Sequence, residues 1–142
     1  MSLNQITEKI IGAAIQVHRK LGPGLLESIY QDCLVIELTL AGIQVSREHP
    51  VPIEYRGQRL RRELKIDLLV DGRLVVEVKA ADRLHPVHQA QVITYLKLTG
   101  CPAGLLLNFN ATSIKAGLKR IDHPTIYAEK LAAKRAGSGR QL

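Results

Sequence analysis

Residues 66–79 have the sequence Ile-Asp-Leu-Leu-Val-Asp-Gly-Arg-Leu-Val-Val-Glu-Val-Lys, in which two apolar, β-branched runs flank an Asp-Gly turn signal. This pattern predicts a β-hairpin. Three charged residues interrupt the apolar runs: Asp67, Glu77 and Lys79. A charge on a buried strand is costly unless it is paired or binds a metal ion. The hairpin therefore predicts either an ion pair or a metal site.

The register of this hairpin decides whether its charged residues meet. Glu77 and Lys79 are two residues apart on one strand, so they share a face. A two-residue turn would place Asp67 opposite Val76. A three-residue loop over residues 71–73, or a β-bulge, would place Asp67 opposite Glu77. Because metal-assisted phosphodiester hydrolysis uses carboxylates with a lysine, that chemistry requires the longer loop or the bulge.

An ion pair is the alternative interpretation of the same residues. Glu77 would then pair with Lys79 on its own strand or with Arg62 across the sheet. A Glu-x-Lys sequence in a strand is weak evidence for a metal site, and taken alone it favours the ion pair.

A polar stripe on the helix predicted over residues 86–99 changes that balance. His88, Gln91 and Tyr95 are spaced three and four residues apart, so they lie on one side of the helix. Apolar residues flank the stripe on both sides, which directs it into the protein. Buried polar groups need hydrogen-bond partners. Bonds to nearby backbone would suffice for one such residue, but three together favour a polar site.

The helix predicted over residues 25–41 carries Glu27 on an inward face, with Tyr30 one turn later. Gly24 is the predicted N-cap, and Glu27 in the first turn would interact favourably with the helix dipole. A capping role and an active-site role are compatible, and the sequence leaves both open. His18, just before this corner, either points toward it or serves as a structural group.

The remaining patterns predict an α/β domain in which helices flank a mixed central sheet. A first helix is expected over residues 4–21, with Asn4 as its N-cap. Strands are expected over residues 51–55, 60–70, 74–79 and 103–108, with an edge strand over residues 118–121. The predicted order is ααβββαβ, in one domain without internal repeats.

Length and composition limit the classes of protein to which the chain can belong. A chain of 142 residues is long enough for one domain with its own core. The longest apolar stretch is far shorter than a membrane span and the first residues do not resemble a signal peptide, so we expect a cytoplasmic protein. Cys33 and Cys101 are unclustered, so we expect reduced thiols that form neither a disulfide nor a metal site.

Positive charge is concentrated in two segments of a chain whose net charge is +7. The first segment holds Arg56, Arg59, Arg61, Arg62 and Lys65, and the second covers residues 119–142. Basic clusters of this kind suit a polyanion such as DNA or RNA. A solvated strand edge and a disordered tail would give the same pattern, and charge alone does not decide between these interpretations.

The motifs together resemble a known family. Residues 18–30, His-Arg-Lys-Leu-Gly-Pro-Gly-Leu-Leu-Glu-Ser-Ile-Tyr, are similar to the signature of the small bacterial and archaeal GxxExxY proteins. The positions that give this family its name correspond to Gly24, Glu27 and Tyr30. The GxxExxY family in turn resembles the PD-(D/E)XK nuclease superfamily, which has a restriction-endonuclease-like αβββαβ core.

The signature of that superfamily matches Asp67 together with residues 77–79, although Ile66 stands where the superfamily often has proline. Residues 91–95, Gln-Val-Ile-Thr-Tyr, are similar to the Q-x-x-x-Y helix of the nuclease modules of helicase–nuclease repair enzymes. The resemblance covers residues 6–121. It implies a nuclease-like domain over residues 1–121 and a basic, partly disordered tail over residues 122–142.

The resemblance implies hydrolysis of phosphodiester bonds with Mg²⁺ or Mn²⁺, in DNA rather than RNA. Lys79 would position or deprotonate the attacking water and stabilise charge on the phosphate. The implied metal ligands are Asp67, Glu77, the Val78 carbonyl and Glu27, which would bind a second metal or a metal-bound water. The residues implied to bind substrate or orient the site are Gln91, Tyr95, Tyr30 and His88. The residues expected to contact nucleic acid are Arg56, Arg59, Arg61 and Arg62.

Two alternatives keep the same fold without cleavage. One is a nucleic-acid-binding module, and the other is a protein-interaction module whose buried polar site is structural. No membrane partner is expected, and the sequence leaves a homo-oligomer open.

Overall fold

The computed structural model describes the backbone of residues 1–140 and the side chains of residues 1–137. The helices are α1 (Leu3–Leu21), α2 (Glu27–Leu40), α3 (Pro86–Thr99), α4 (Ile114–Gly117) and α5 (Pro124–Arg140). The strands are β1 (Val45–Val51), β2 (Glu54–Tyr55), β3 (Gln58–Arg59), β4 (Leu64–Val70), β5 (Leu74–Lys79), β6 (Ala103–Asn108) and β7 (Leu118–Asp122).

The main sheet has five strands in the order β1-β4-β5-β6-β7. β5 and β6 are parallel and are connected by α3, whereas the other neighbouring pairs are antiparallel. β2 and β3 form a separate short hairpin. The mixed sheet flanked by helices confirms the predicted α/β class.

Helices cover both faces of the main sheet. α1 and α2 pack on one face, through residues such as Ile10 and Leu34. α3 packs on the other face through Val92 and Leu96. β5 and β6 are buried along nearly their whole length, as expected for central strands covered on both sides. The strand that carries the Glu-Val-Lys motif is therefore anchored between two cores.

The hairpin between β4 and β5 has the longer of the two loops considered above. Val70 pairs with Leu74, so the loop comprises residues 71–73. This register places Asp67 opposite Glu77. The condition that the sequence sets for a metal site is therefore met.

The structure differs from the sequence prediction around the first strands. β1 ends at Val51, before Pro52, whereas the alternation of residues 51–55 predicts one continuous strand. Proline cannot donate a ladder hydrogen bond, which accounts for the break. The chain then forms the β2–β3 hairpin, with its turn at residues 56–57. Because the hairpin takes up these residues, β4 begins at Leu64 rather than at residue 60.

Two helix starts also differ from the prediction. The N-cap of α1 is Ser2 rather than Asn4. The N-cap of α2 is Leu26, so Gly24 lies outside the helix, in the turn before it. Glu27 nevertheless occupies the first turn of α2, as predicted.

The region after β6 contains α4, which the sequence did not predict, and α5, which begins close to residue 125, where the sequence pattern allows a frayed helix. α4 is a single turn capped by Ser113, and α5 covers most of the predicted basic tail. The domain limit at residue 121 and the partial disorder of the tail stay predictions, and residues 141–142 lie outside the described residues. Within the described part of the chain, both cysteines are free, and no helix is long and apolar enough to cross a bilayer.

Gly104 on β6 permits close packing between the sheet and α3. A Cβ added there would lie 2.7 Å from Val92 Cγ1 and 3.2 Å from the Val75 carbonyl oxygen. We expect Gly104→Ala to lower the free energy of unfolding by about 1–3 kcal/mol, because it overpacks the core. Gly12→Ala in α1 has open space around it and should raise the free energy of unfolding by about 0.5–1 kcal/mol. Urea unfolding followed by circular dichroism measures both, and equal effects would contradict the packing argument.

Candidate active site

β4 and β5 separate toward the end of the sheet at which β5 finishes. Their backbone pairing ends at Leu68 and Val76. Beyond that pair, the Val78 amide donates to Asp67 Oδ2 at 2.9 Å, and the Asp67 amide donates to Glu77 Oε1 at 3.0 Å. Carboxylate oxygens therefore replace the missing backbone acceptors. We call this gap, lined by Asp67, Glu77 and Val78, the fork.

The regular alternation of side chains along β4 is interrupted at Asp67. Ile66 packs toward α3, whereas Leu68 packs toward α1 and α2. Residues two apart on a regular strand share a face, so the backbone between these two residues is irregular. At the matching position of β1, Glu48 has a φ of +48°, in the left-handed region. This joint irregularity allows the Asp67 carboxylate to reach the β5 backbone.

The acidity of Glu77 is strongly perturbed. Its side chain is only 2% exposed. Burial, followed by the neighbouring Asp67 carboxylate, raises the pKa of Glu77 from 4.5 to about 8. The Lys79 ammonium lies 4.0 Å from Glu77 Oε2 and acts in the opposite direction. The ion pair between Glu77 and Lys79 is therefore present, but its effect on the pKa of Glu77 is smaller than the combined effect of burial and the Asp67 carboxylate.

A chain of hydrogen bonds links Lys79 to α3. The Lys79 ammonium donates to Gln91 Oε1 at 3.4 Å, and the Gln91 amide donates to the Tyr95 hydroxyl at 3.0 Å. The Tyr95 hydroxyl donates to the Lys65 carbonyl at 3.1 Å. Burial, and then the nearby Glu77 carboxylate, raises the pKa of Tyr95. Two residues of the predicted polar stripe are thus linked to the catalytic candidate Lys79: Gln91 contacts it directly, and Tyr95 is connected to it through Gln91.

Glu27 and His88 lie near the end of β5. Glu27 is exposed, and its Oε1 accepts a hydrogen bond from the Ala80 amide at 3.4 Å. His88 is half-buried, and its Nδ1 accepts from the His85 amide at 3.1 Å in the N-terminal cap of α3. Burial lowers the pKa of His88. Because Gln91 is exposed as well, the polar stripe lies at the mouth of the fork rather than wholly inside the protein.

Tyr30 and His18 are structural groups of the corner that precedes α2. Tyr30 is completely buried, its hydroxyl donates to the Gly22 carbonyl at 2.6 Å, and its ring stacks on Phe109 at a centroid distance of 4.3 Å. His18 Nε2 lies 3.0 Å from the Ala111 carbonyl oxygen. Of the two roles that the resemblance implies for Tyr30, burial favours orienting the site over contact with substrate.

Sequence reasoning missed two asparagines that position the site. Asn108, the last residue of β6, accepts from the Ala81 amide at 3.1 Å and donates to the Ala81 carbonyl at 3.0 Å. Asn110 accepts from the Gly24 amide at 2.9 Å. Asn108 thus fixes the chain beyond β5, and Asn110 fixes the turn before α2. A polar residue that ends a strongly apolar segment is the sequence signal for Asn108.

The predicted basic residues lie on the β2–β3 hairpin and in the segment that follows it. They are Arg56, Arg59, Arg61 and Arg62, and all four are exposed. Arg59 donates to Glu63 at 3.3 Å, which leaves an excess of positive charge. The hairpin extends from the end of the sheet at which Val51 pairs with Leu64, which is also the end of β4 that borders the fork. Among the ion pairs of the described residues, Glu77 pairs with Lys79 and not with Arg62.

The oxygen atoms of the fork fit a hard divalent cation. Asp67 and Glu77 each use a carboxylate oxygen to accept a backbone amide, and each has a second oxygen. In a strand, the N–H and C=O of one residue point to the same side. Because the Val78 amide points to Asp67, the Val78 carbonyl also faces the fork. Two carboxylates and a carbonyl are ligands that Mg²⁺ and Mn²⁺ accept.

Glu27 does not complete a larger acidic cluster. Among the described residues, no group of three or more His, Cys, Asp or Glu side chains is arranged to hold a metal ion. The candidate donor set therefore consists of Asp67, Glu77 and the Val78 carbonyl, with Glu27 at the rim of the fork.

Comparison with protein-family models matches residues 4–121 to a model described as the PD-(D/E)XK nuclease superfamily. Searches among curated proteins and among solved structures give no match. The matched span contains the whole fork, the polar stripe of α3 and Glu27, and it ends before α5.

Glu77 should make the stability of the metal-free domain depend on pH. Its pKa is about 8 in the folded protein, against 4.5 for an unperturbed glutamate. The folded state therefore keeps a proton that the unfolded state loses. The resulting stabilisation is complete below pH 4.5 and is lost as the pH rises through 8. In EDTA, we expect the wild type to lose on the order of 1 kcal/mol per pH unit between these limits.

Glu77→Gln removes this titration and keeps an oxygen that can accept the Asp67 amide, so its stability should vary less with pH. Urea unfolding of both proteins at several pH values measures the difference, with Glu8→Gln at an exposed position as the control. Parallel pH profiles for the wild type and Glu77→Gln would contradict the raised pKa.

Proposed function

The chain belongs to the PD-(D/E)XK nuclease superfamily, and from this membership we propose that it is a metal-dependent nuclease that hydrolyses phosphodiester bonds in DNA. The observation that carries the proposal is the fork. The two acids and the lysine of the superfamily motif would correspond to Asp67, Glu77 and Lys79. Glu77 accepts a hydrogen bond from the Asp67 amide at 3.0 Å and lies 4.0 Å from the Lys79 ammonium.

Asp67, Glu77 and the Val78 carbonyl would hold Mg²⁺ or Mn²⁺. When bound, such an ion polarises a phosphate oxygen and lowers the pKa of a coordinated water. Its positive charge would also relieve the repulsion between carboxylates that contributes to the raised pKa of Glu77. From α2, Glu27 would bind a second ion or a water at the rim.

Lys79 is the residue that we assign to the attacking water. Its ammonium lies between Glu77 and Gln91, so it is held at the mouth of the fork. There it would position the water, assist its deprotonation and stabilise charge on the phosphate. Gln91 and Tyr95 would keep the ammonium directed toward the fork, and His88 would border the same opening.

Exposed arginines next to the fork would bind the nucleic-acid backbone. Arg61 and Arg62 lie between the β2–β3 hairpin and β4, and Arg56 lies at the hairpin turn. Phosphate contacts position a nucleic acid without reading its sequence, so this surface suits a substrate of any sequence. We favour DNA over RNA because residues 91–95 are similar to the helix of DNA-repair nuclease modules.

A second candidate function is a nucleic-acid-binding module that does not cleave. The observation that favours it is the small acidic set, since Glu27 does not join Asp67 and Glu77. Binding without metal-dependent cleavage would distinguish this function from the proposed one.

Two finer assignments accompany the proposal. We place the chain in the GxxExxY family because Gly24, Glu27 and Tyr30 lie at one corner that borders the end of β5. We also propose a cytoplasmic location in a prokaryote. The free thiols of Cys33 and Cys101 are compatible with a reducing compartment.

Removal of the Lys79 ammonium should abolish cleavage without unfolding the protein. Lys79→Ala should reduce the cleavage rate by at least about 100-fold, because the ammonium stabilises charge in the transition state. The assay uses labelled single-stranded, duplex and branched DNA with Mg²⁺, Mn²⁺ or EDTA. Lys97→Ala, at an exposed position of α3, is the matched control and should retain full activity.

Asp67→Asn should give the same loss of activity, because it removes a metal ligand. An asparagine can still accept the Val78 amide, so the fold should be preserved. If either Lys79→Ala or Asp67→Asn cleaves DNA like the wild type, the assigned catalytic roles are wrong.

Nucleic-acid affinity should depend steeply on salt through the arginines near the hairpin. Replacing Arg61 and Arg62 by alanine should reduce the slope of log affinity against log salt by about two, roughly one per lost phosphate contact. Fluorescence anisotropy in the Asp67→Asn background measures binding without cleavage. Lys9 and Arg19, exposed on α1, provide a control pair of equal charge. An equal reduction in the control pair would show that the effect comes from net charge rather than from this surface.

A further inference from the structure

α2 carries an apolar stripe on its outer face. The stripe consists of Leu26, Ile29, Cys33, Ile36 and Leu40, which are spaced alternately three and four residues apart. This spacing places them on one side of a helix. Leu26, Ile36 and Leu40 are 70%, 58% and 79% exposed, so most of the stripe faces water.

The stripe lies on a different face of α2 from the one that the domain buries. The inner face of α2 already packs into the core through Tyr30, Leu34 and Leu38, which are buried. A surface helix ordinarily has one apolar face and one polar face. A contiguous apolar surface exposed to water indicates an interaction site. We therefore expect the outer face of α2 to pack against a second molecule.

We propose that this stripe packs against the same stripe of a second copy of the chain, with the two α2 helices antiparallel about a two-fold axis at Cys33. The stripe is centred on Cys33, because Leu26 and Leu40 each lie seven residues from it. Reversing the helix direction therefore brings Leu26 against Leu40, and Ile29 close to Ile36. A two-fold interface requires a surface that is complementary to itself in this way.

The charges beside the stripe also suit a second copy. Lys20 and Glu37 line a groove of about 340 Å³ between α1 and α2, next to Cys33. Neither belongs to an ion pair within the described residues. Across an axis at Cys33, Lys20 of each copy would face Glu37 of the other. On the opposite flank, Arg47 pairs with Asp32 inside the chain, which neutralises the charge there.

The proposed interface leaves the fork open. The stripe runs along the whole of α2, about 21 Å at 1.5 Å per residue. Glu27 projects toward the Ala80 amide at the end of β5 rather than along the stripe. Dimer formation and nuclease activity are therefore separate properties, and each can fail without the other.

Sedimentation velocity over a range of protein concentrations tests the dimer. The wild type should sediment as a dimer that dissociates on dilution, and Ile36→Glu should be monomeric because it buries a charge in the interface. Thr39→Glu adds the same charge at an exposed position of α2 outside the stripe and should remain dimeric. Circular dichroism checks that both variants are folded. A wild type that stays monomeric up to its solubility limit would overturn the proposal and leave the stripe to a different partner. A dimer that survives Ile36→Glu would place the interface elsewhere.

Oxidative cross-linking tests the antiparallel arrangement. With copper-phenanthroline as oxidant, the wild type should form a covalent dimer through Cys33, whereas Cys33→Ser should not, because Cys101 is buried. In the Cys33→Ser background, a mixture of Leu26→Cys and Leu40→Cys proteins should cross-link. Either variant alone should remain uncross-linked. Cross-linking of Leu26→Cys with itself would show parallel helices and overturn the proposed arrangement.

Discussion

The hydrogen bond from the Val78 amide to the Asp67 carboxylate is the interaction on which the site depends. β4 residues before Leu68 are not paired with β5, so amides on both strands lack backbone acceptors there. An unpaired buried amide costs about 1–3 kcal/mol. Asp67 and Glu77 supply the two missing acceptors, each for an amide of the opposite strand. The bonds that allow the strands to separate are therefore the same bonds that orient the two acids.

Satisfying the backbone with carboxylates has an electrostatic cost. Amide side chains at positions 67 and 77 could accept the same bonds without bringing two negative charges together. The raised pKa of Glu77 reflects this cost, because burial and the neighbouring Asp67 carboxylate both disfavour the charged acid. β5 tolerates the penalty because Val76 and Val78 anchor it in the core beneath α1 and α2. A bound cation would explain why the domain keeps two acids that destabilise it, because its positive charge would offset the repulsion between their carboxylates.

The sequence predicts β5, α3 and β6 to the residue because each is a long apolar or periodic segment with turn residues at its ends. It also identifies which charged residues lie on the central strand. It cannot choose the loop length that aligns Asp67 with Glu77, since both registers satisfy the apolar pattern. The sequence also cannot predict the interrupted alternation of side chains at Asp67, because it involves the left-handed conformation of Glu48 on another strand. The bonds of Asn108 similarly depend on a segment distant in sequence.

α2 is held by different forces from the fork. Its start is fixed by Tyr30 and Asn110, which bond to the turn at residues 22–24, and its inner face is fixed by the core. None of the hydrogen bonds that close the fork involves α2. A shift of α2 would therefore move Glu27 relative to Asp67 and Glu77 while the two acids of the fork stayed in place. A second copy bound to the outer face of α2 would therefore leave Asp67 and Glu77 in place, because the bonds that orient them lie within β4 and β5.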